Sequence, residues 1–499
     1  ELKEKIDKSL LTHIEVLKKA HSGFQKGSNW GIIQDSGLFH IGVYFDDNDI
    51  ISLALKRLEQ ETDLQIMSDG FQWEQSNNYH NEVLLVLLDV IIDADKNNIA
   101  MPEKLKNKIE KMAEAALKTV KPNCHNPLFG DSDDTDMRDI MSRCALVFGR
   151  SDFKYYGFDR LDFNTVWQTG YKSIEKYNNI GKIPPSFNNA FLSDSGNYIL
   201  RENQTNASNY LLFHNGYTGA GHAHADKLHF DLMIKGRDVL VDAGRYTYLN
   251  NAQRRYIKSP KAHNVCLIDN KQYLNVSSQW ETKNPAMAVQ YPCFDNEYCT
   301  LIGGAHLGYL KSRNAFIERK ILYIKPDIYV IVDVFKAKGF HTYQQYFHFA
   351  PTGKITVSAN NAQFDDGIVK ANMHFVIPNA KIKKEDSIYS SNYNAICKND
   401  CIKSSFSAFG NTSAITVIYG NMAENFVPYD VSFEQIKTAR SEKMLPFSKA
   451  QGIVIKTPKK EYTICLAFKE LKEPFGCNNI IGSGTISVFE NDKLIFTKW

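Results

Sequence analysis

The stretch GKIPPSFNN, residues 181–189, marks the point at which the hydrophobic pattern of the chain changes its period. Before this stretch, apolar residues recur every three or four positions, which is typical of amphipathic helices. After it, short runs alternate apolar and polar residues between turn-forming residues, which is typical of strands. The adjacent prolines at positions 184 and 185 favour a boundary here. The sequence therefore predicts a helical half followed by a β-rich half.

Four apolar stripes at helical spacing define the N-terminal half, and polar or glycine-containing loops join them. The stripes consist of Leu2, Ile6, Leu10, Ile14 and Leu17; Ile50, Leu53, Leu55 and Leu58; Leu84, Leu87, Leu88 and Ile91; and Leu105, Ile109, Met112 and Leu117. We expect helices to start near Asp49, Pro102 and Thr135, which are residue types that favour helix N-termini. These helices should pack pairwise in an all-helical array.

The C-terminal half contains many short strand-like segments, such as RDVLVD (237–242) and DIYVIVDVF (327–335), with little helical pattern between them. This pattern predicts a large antiparallel region built as β-sandwiches. We expect three domains, which are a helical domain at residues 1–182, a central β-sandwich with a metal site at residues 183–400, and a C-terminal β domain at residues 401–499.

The composition fits a folded enzyme without a strong excess of either charge. The chain has 499 residues, of which 43% are hydrophobic, so it can bury the cores of two or three domains. Its formal net charge is only +3, which argues against a nucleic-acid-binding protein. The nine cysteines are scattered and odd in number, so we expect mostly free thiols. No apolar run in the sequence reaches the roughly 18 residues needed to span a bilayer.

The stretch GHAHADKLHFDL, residues 221–232, concentrates histidine and aspartate around the start of a strand-like run. His224 precedes this strand, Asp242 ends a second one, and His263 opens a third. Spacings of 18 and 21 residues suit consecutive strands whose ends meet at one ion, and these residue types are transition-metal ligands. Residue spacing alone leaves open a second interpretation, in which all three are hydrogen-bonded polar residues at strand ends.

Two further groups of polar residues could carry chemistry, because amides stabilise developing negative charge and phenols transfer protons. The first group lies at helix ends and loop edges of the N-terminal half and consists of Asn29, Gln75, Asn78, Tyr79 and His80. The second follows the strand that ends at Asp242 and consists of Tyr246, Tyr248, Tyr256, Arg254 and Arg255. Taken singly, each residue could equally be a helix cap, a core residue or part of a strand face.

Five sequence blocks occur in an order that resembles the heparinase II/III superfamily of polysaccharide lyases, most closely its heparinase III-type branch. The blocks are DGFQWEQSNNYH (69–80), PLFGDSD (127–133), FLSDSGNYILR (191–201), GHAHADKLHFDLMIKGRDVLVDAGRYTY (221–248) and RRYIKSPKAHNVCLID (254–269). The resemblance implies an α+β multidomain fold, with an N-terminal (α/α) toroid followed by antiparallel β-sandwich domains. The helical half is short for a complete toroid, so we expect the toroid to be incomplete in this chain.

The resemblance also implies the roles of individual residues. It implies a structural divalent metal, most often Zn²⁺, held by His224, Asp242 and His263. It implies catalytic roles for Asn29, Tyr79, Tyr248 and His222, with Asn29 neutralising a substrate carboxylate. Around them we expect substrate contacts from Trp30, Gln75, His80, Arg254, Arg255 and Tyr246. Trp30 departs from branches of the family that have histidine after the asparagine, so His222 or Tyr248 would assume that histidine's share of the proton transfer.

The reaction that the resemblance implies is β-elimination at a uronic acid, which leaves a 4,5-unsaturated uronate. One tyrosine would abstract the C5 proton while the other protonates the leaving O4 oxygen. Because a free phenol has a pKa of about 10, we expect nearby positive charge from Arg254, Arg255 or His222 to assist the base. His229 is expected to be a structural strand residue, and Asp226 to orient neighbouring backbone or imidazole.

Several alternatives remain at this stage. An acidic glycosaminoglycan is the expected substrate, either heparan sulfate or a low-sulfate relative such as hyaluronan or chondroitin, since the near-neutral charge favours low sulfation. The alternatives are an alginate or oligo-uronate lyase, a zinc-dependent glycan hydrolase and a non-catalytic glycan-binding protein. The chain begins at Glu1 rather than at methionine, so we expect a processed or trimmed chain without its targeting signal. A periplasmic or secreted bacterial location is favoured, with a cytoplasmic location as the alternative.

Overall fold

The computed structural model of the protein describes residues 1–283, 285–469, 471, 473–477 and 480–498. The N-terminal part is helical. Its helices are α1 (Leu2–Lys19), α2 (Gly23–Lys26), α3 (Asn29–Phe45), α4 (Asn48–Gln65), α5 (Asn77–Lys96), α6 (Glu103–Thr119), α7 (Arg138–Phe148), α8 (Ser151–Tyr156), α9 (Phe163–Thr169) and α10 (Lys172–Asn178). Two short helices lie within the β region, α11 (Ala252–Ile257) and α12 (Leu310–Arg313).

The four apolar stripes lie on α1, α4, α5 and α6, which confirms the helical periodicity. They bury their apolar faces in one core shared with α3, α7 and α8. Pro102 caps α6 as expected, and α4 begins at Asn48 after an Asp47 cap. The helix start predicted near Thr135 is wrong, because α7 begins at Arg138. The Thr135 carbonyl accepts a hydrogen bond from the Asn126 backbone instead, so Thr135 belongs to an extended loop pairing.

The C-terminal part consists of antiparallel strands. The first strands are β1 (Ala190–Leu192), β2 (Asn197–Arg201), β3 (Tyr210–His214), β4 (His229–Ile234), β5 (Arg237–Leu240), β6 (Cys266–Ile268), β7 (Asn275–Val276), β8 (Thr282–Lys283), β9 (Ala288–Gln290) and β10 (Phe294–Asp295). The central strands are β11 (Cys299–His306), β12 (Ala315–Ile324), β13 (Ile328–Ala337), β14 (Phe340–His348), β15 (Lys354–Ser358), β16 (Asn361–Asp365), β17 (Val369–Val376), β18 (Lys381–Tyr389), β19 (Cys397–Phe409) and β20 (Thr412–Met422). The last strands are β21 (Asp430–Glu434), β22 (Lys437–Thr438), β23 (Ala450–Lys456), β24 (Glu461–Ala467), β25 (Phe475–Cys477), β26 (Ile480–Gly482), β27 (Ile486–Glu490) and β28 (Lys493–Lys498).

These strands form stacked sheets. A five-stranded sheet has the order β1-β2-β3-β4-β5, and a four-stranded sheet has the order β18-β19-β14-β6. Both share one large core with a nine-stranded sheet of order β10-β11-β12-β13-β20-β17-β16-β15, in which β9 also pairs with β11. The other face of the nine-stranded sheet packs on a C-terminal sheet of order β21-β23-β24-β27-β28. The expected fold, a toroid-type helical domain followed by antiparallel β-sandwiches, is therefore confirmed.

The contact between the helical and β regions is apolar and continuous. Phe71, Ala115 and Phe129 from the helical region pack against strands β1 to β4. This packing fixes the helix ends that face the β region, including the start of α5. It therefore holds side chains from the two halves in a defined relative position.

The boundary predicted at residues 400 and 401 falls inside β19. This strand pairs along its length with β14 and β18, and β20 then joins the nine-stranded sheet. The separate C-terminal sheet begins at Asp430. The division into three domains itself stays a prediction.

The structure also bears on the cysteines and on the search for membrane-spanning segments. All nine cysteines lie in the described ranges as free thiols, as expected. Among the described helices, none combines the length and the apolar character needed to cross a membrane.

Candidate active site

Two tyrosines, one from each half of the chain, meet where the helical region contacts the β region. Tyr79 lies in the first turn of α5, where its backbone N–H donates to the Ser76 side chain that caps the helix (3.4 Å). Tyr248 lies in the loop after β5. Their hydroxyl oxygens are 2.8 Å apart and hydrogen-bonded. The structure thus brings together two residues that are 169 positions apart in sequence.

His222 lies beside this tyrosine pair. Its ring stacks on Tyr79, with the ring centres 3.5 Å apart and the planes 15° from parallel. Its Nδ1 atom is 3.0 Å from an Asp131 carboxylate oxygen, and its Nε2 atom is 3.7 Å from Glu74. The other Glu74 oxygen accepts the backbone N–H of Asn29 at 3.1 Å. The predicted catalytic residues Asn29, Tyr79, Tyr248 and His222 therefore lie in one cluster.

Asp131 is the central charged residue of this cluster. Its buried carboxylate accepts two hydrogen bonds from Arg254, at 2.5 and 2.8 Å, and faces His224 Nε2 at 2.8 Å as well as His222. Burial opposes ionisation, but the charge of Arg254 and the hydrogen bonds of both histidines hold the pKa of Asp131 well below its ordinary value. Asp131 therefore orients both His222 and His224.

The three predicted metal ligands His224, Asp242 and His263 come together and are fully buried. One potential ligand atom from each residue lies within 4.8 Å of the others. Within the described part of the chain, His224 Nδ1 and His263 Nε2 have no hydrogen-bond partner. Burial lowers the pKa of His224 to about 4, which keeps its imidazole neutral, as metal binding requires. The residues therefore fit a metal ion, and His224 would be held by Asp131 behind it.

The remaining polar residues of the stretch 221–232 have structural partners. His229 lies fully buried in β4, where Nε2 is 2.9 Å from Asp231 and Nδ1 accepts the Asn264 backbone N–H at 3.0 Å. An Asp226 oxygen lies 3.6 Å from His214 Nε2. His229 is a strand residue, as expected, and Asp226 faces an imidazole.

The environment of Tyr248 is aromatic and cationic. Its ring stacks on Trp280, with ring centres 4.5 Å apart. Arg245 Nη1 donates to the Tyr248 hydroxyl at 3.2 Å, and the same guanidinium pairs with Asp133 through Nε at 2.8 Å. Burial raises the pKa of Tyr79 to about 12 and also raises the pKa of Tyr248. Both phenols are therefore protonated near neutral pH.

An arginine that was not among the predicted sources of positive charge, Arg245, donates directly to the Tyr248 hydroxyl. Arg245 contacts the phenol, whereas Arg255 is exposed and donates to Asn250 at 2.6 Å. Arg254 lies beneath the Tyr248 ring, with its guanidinium carbon 5.2 Å from the ring centre, and its charge is neutralised by Asp131.

The burial of three residues contradicts the prediction that they bind substrate. His80 is fully buried, stacks on Phe71, and uses both ring nitrogens for backbone contacts at 3.1 and 3.2 Å. Arg254 is fully buried on Asp131. Gln75 is fully buried in a left-handed turn, with φ of 57°. The prediction that these three side chains contact substrate is therefore wrong. Each is a buried residue that supports neighbouring parts of the site.

Tyr246 and Trp30 have different surroundings. Tyr246 is half-buried and packs on the small apolar cluster of Ala243, Ile257 and Ala262, so it supports the loop before Tyr248. Trp30 follows Asn29 on α3 and is 58% exposed, with an edge contact to Phe24. Substrate binding by Trp30, Tyr246 and Arg255 stays a prediction.

Four residues of the cluster were missed by sequence reasoning: Glu74, Asp131, Arg245 and Trp280. Asp131 lies within the quoted block PLFGDSD, but nothing in its spacing distinguishes it from the other acidic residues of that loop. Glu74, Arg245 and Trp280 come from three loops that are distant in sequence. Three of these residues, Glu74, Asp131 and Arg245, lie inside the sequence blocks that resemble the family. Membership of a block was therefore the sequence feature that could have identified them.

The fold and the cluster define the class of protein: a helical toroid packed on antiparallel β-sandwiches, with a polar site where the two halves meet. Residues 7–155 match the family described as heparinase II/III N-terminus, and residues 184–416 match the heparinase II/III-like C-terminal family. The chain belongs to the heparinase II/III family.

Curated relatives lie in the same family. The chain is 26% identical over 254 residues to the heparin-sulfate lyase of Pedobacter heparinus, an alignment that covers 48% of this chain and 36% of the relative. It is 25% identical over 302 residues to the heparin-sulfate lyase of Bacteroides thetaiotaomicron, covering 55% of this chain and 39% of the relative. The chain therefore matches less than half of the length of these relatives.

Solved structures share the fold. The heparan sulfate lyase of Pedobacter heparinus superposes with a TM-score of 0.74 at 17% identity, covering 92% of this chain and 69% of that one. A structure described as heparinase III gives a TM-score of 0.72 at 16% identity, covering 89% and 68%. At these identities, the comparison establishes the architecture.

Proposed function

We propose that the protein is a polysaccharide lyase that cleaves a uronic-acid-containing glycosaminoglycan by β-elimination. The observation that carries this proposal is the direct hydrogen bond between Tyr79 and Tyr248 across the two halves, with His222 stacked on Tyr79. A lyase of this kind needs a base and an acid close to one sugar ring, and two phenols 2.8 Å apart supply such a pair. The names of the curated relatives support the same reaction.

Removal of the C5 proton is difficult because the adjacent C6 carboxylate carries a full negative charge. A donor aimed at that carboxylate stabilises the enolate-like intermediate. Asn29 at the start of α3 is the main candidate, and His222 supports it from the β region. The Glu74 carboxylate, which accepts the Asn29 backbone N–H at 3.1 Å and lies 3.7 Å from His222, holds both donors in place.

The two phenols divide the proton transfers. Because both are protonated near neutral pH, one phenol must first lose its proton to solvent; the phenolate then abstracts the C5 proton, and the other phenol gives its proton to the leaving O4 oxygen. After the reaction the first phenol has gained a proton and the second has lost one. Their direct hydrogen bond offers a path for the proton to return, which would restore both residues for the next turnover.

A divalent metal, with Zn²⁺ as the proposed ion, would be held by His224, Asp242 and His263, since two imidazoles and one carboxylate form a common zinc ligand set. Such an ion would supply structural cross-linking of the loops that carry His222 and Tyr248. The burial of all three ligands argues against the zinc-dependent hydrolase, because a substrate would have no access to a hydroxide bound there.

The proposed substrate is heparan sulfate or a low-sulfate relative, and the proposed location is periplasmic or secreted. The names of the relatives favour heparan sulfate. The small net charge of +3 favours a polymer with few sulfates, since dense sulfation would select a strongly basic groove. The same charge gives no support to nucleic acid as a partner.

A panel of polysaccharides tests the reaction and the substrate together. Purified protein is incubated with heparin, heparan sulfate, hyaluronan, chondroitin sulfates and alginate, and each mixture is assayed both for ultraviolet absorbance and for new reducing ends. A lyase raises both signals together, with the largest rise expected on heparan sulfate. New reducing ends without absorbance would establish a hydrolase, and saturable binding without either signal would establish a glycan-binding protein.

A further inference from the structure

A second group of potential metal ligands lies in the helical half, outside the candidate active site. It consists of His21, Asp35 and Glu61, and one ligand atom from each lies within 4.8 Å of the others. His21 is in the segment between α1 and α2, Asp35 is on α3, and Glu61 is on α4. Three different elements therefore contribute one ligand each.

The contacts of these side chains leave several polar atoms free. His21 Nδ1 is 3.4 Å from Asp35 Oδ2 and 3.5 Å from Glu61 Oε1. Glu61 is fully buried, and within the described ranges no hydrogen-bond donor contacts either of its carboxylate oxygens. Across the same ranges, Asp35 Oδ2 and His21 Nδ1 also have no hydrogen-bond partner. One ligand atom of each residue lies within 4.8 Å of the other two, which is an unfavourable arrangement for unpaired carboxylates unless a proton or a cation lies between them.

The nearest cation compensates only part of this charge. Arg57 Nη1 donates to Asp35 Oδ1 at 3.2 Å, and the remaining Arg57 hydrogen bonds go to the carbonyls of Leu17 and Lys18, at 3.1 and 2.7 Å. One carboxylate is therefore paired through a single oxygen, and the second has no cationic partner among the described residues. Burial and the neighbouring Asp35 raise the pKa of Glu61 to about 9, because the ionised carboxylate has too little positive charge near it. Burial lowers the pKa of His21, which favours the neutral imidazole.

We propose that His21, Asp35 and Glu61 bind a divalent first-row transition-metal ion of the Zn²⁺ or Mn²⁺ type. One imidazole nitrogen and two carboxylate oxygens are a ligand set that such ions accept, with water completing the coordination. His21 is 15% exposed, so the ion can enter from the solvent side while the carboxylates stay buried. The three ligands of this site take no direct part in the proposed lyase reaction.

The bound ion would fasten the N-terminal helix to the rest of the helical half. Ile14 is the only buried residue of α1, so apolar packing alone secures this helix weakly. The ion would join the chain after α1 to both α3 and α4. Glu61 also packs against Gly31, where an added Cβ atom would lie 2.5 Å from Glu61 Oε1. The site therefore also fixes the first turn of α3, which carries Asn29.

Metal stoichiometry tests the proposal. The full chain is stripped of metal with a chelator and titrated with Zn²⁺, and separately with Mn²⁺, by calorimetry. Glu61→Gln keeps the size of the side chain and removes its charge, so it should bind one ion fewer than the unmodified protein. His263→Ala removes a ligand of the other group, and the double variant should lose both sites. His13→Ala, an exposed histidine on α1, is the matched control and should bind as many ions as the unmodified protein.

An equal stoichiometry for Glu61→Gln and the unmodified protein would overturn the proposal. If Glu61→Gln does not fold, His21→Ala decides, because His21 lies at the edge of the site. Limited proteolysis provides a second measurement for the His21→Ala variant. Zn²⁺ should protect the bonds between residues 19 and 28 in the unmodified protein and in His13→Ala, but not in His21→Ala. Equal protection in all three would also overturn the site.

Discussion

Asp131 connects two histidines that have different proposed tasks. One carboxylate oxygen faces His222, which stacks on Tyr79, and the other faces His224, a candidate metal ligand. Arg254 neutralises the charge from the opposite side. A single buried residue therefore links the orientation of His222 to that of His224.

We expect Asp131→Asn to destabilise the protein and weaken metal binding together. Loss of the charge leaves Arg254 buried without a counter-ion, which should lower the free energy of unfolding by about 3–5 kcal/mol. A residue that supports a metal ligand typically changes metal affinity by about 10- to 100-fold. Denaturant unfolding and a zinc titration measure the two effects. Asp136→Asn, in the same loop but paired with Arg138 at the surface, should change unfolding by about 1 kcal/mol or less.

We expect Asn29→Ala to lower the rate of polysaccharide cleavage about 100-fold, because one well-placed donor to a developing negative charge is worth about 3 kcal/mol. The fold should persist, since the contact to Glu74 is made by the Asn29 backbone. Initial ultraviolet rates and melting temperature are measured in parallel, with the exposed Asn179→Ala as a control. A rate loss below threefold would remove Asn29 from the carboxylate-binding role.

The candidate active site could be predicted only where residues carry a distinctive type or lie in a characteristic block. His224, Asp242 and His263 were found because imidazoles and a carboxylate at strand ends are unusual, and Tyr79 and Tyr248 because the blocks resemble a known family. Glu74 and Asp131 could not be distinguished from surface acids, because burial and pairing are properties of the fold. His80 was misassigned for the same reason, since its burial is not visible in the sequence.

At the scale of elements, the start of α5 decides where Tyr79 lies. Ser76 caps this helix and also donates to the Asp131 carbonyl at 2.9 Å, so one hydroxyl fixes both the helix end and the loop beneath it. The helical stripes predicted α5 correctly because a buried amphipathic helix has a strong periodic signal. The start of α7 was predicted near Thr135, too early in the chain. Hydrogen bonds of the preceding loop determine where this helix begins, and they leave no periodic pattern in the sequence.

We expect Ser76→Ala to lower the free energy of unfolding by about 1 kcal/mol, because α5 loses its N-cap. The cleavage rate should also fall under conditions in which the variant stays fully folded, since Tyr79 is in the first turn of that helix. Denaturant unfolding and initial rates are compared with those of Ser9→Ala, an exposed serine within α1. Unchanged stability and rate would show that the Ser76 hydroxyl does not position Tyr79.

At the scale of the whole molecule, the two halves are joined by an apolar contact and share one polar site. Sequence periodicity predicted both halves, but it could not predict that Tyr79 and Tyr248 touch, because that contact depends on how the helical region packs on β1 to β4. The resemblance to a family supplied this pairing as an expectation.

Buried neutral histidines predict how the stability of the whole fold depends on pH. Burial lowers the pKa to about 4 in His80 and His214, and to about 3 in His306 and His348. The unfolded chain binds protons at these residues below pH 6.5 while the folded chain does not, so stability is lost as pH falls from 6.5 toward 4. Each histidine should contribute roughly 1 kcal/mol per pH unit in this window. Denaturant unfolding at pH 7, 6 and 5 measures the loss, and a constant unfolding free energy would contradict it.

The role of the tyrosine pair is tested most directly by the cleavage rate of Tyr79→Phe, followed by ultraviolet absorbance on the best substrate of the panel. Phenylalanine preserves the ring that stacks on His222 and removes only the hydroxyl that bonds Tyr248. We expect a rate loss of at least about 100-fold with an unchanged melting temperature, whereas Tyr171→Phe, exposed in the same helical half, should keep the full rate. A Tyr79→Phe variant that cleaves at a near-normal rate would show that this tyrosine pair does not perform the elimination.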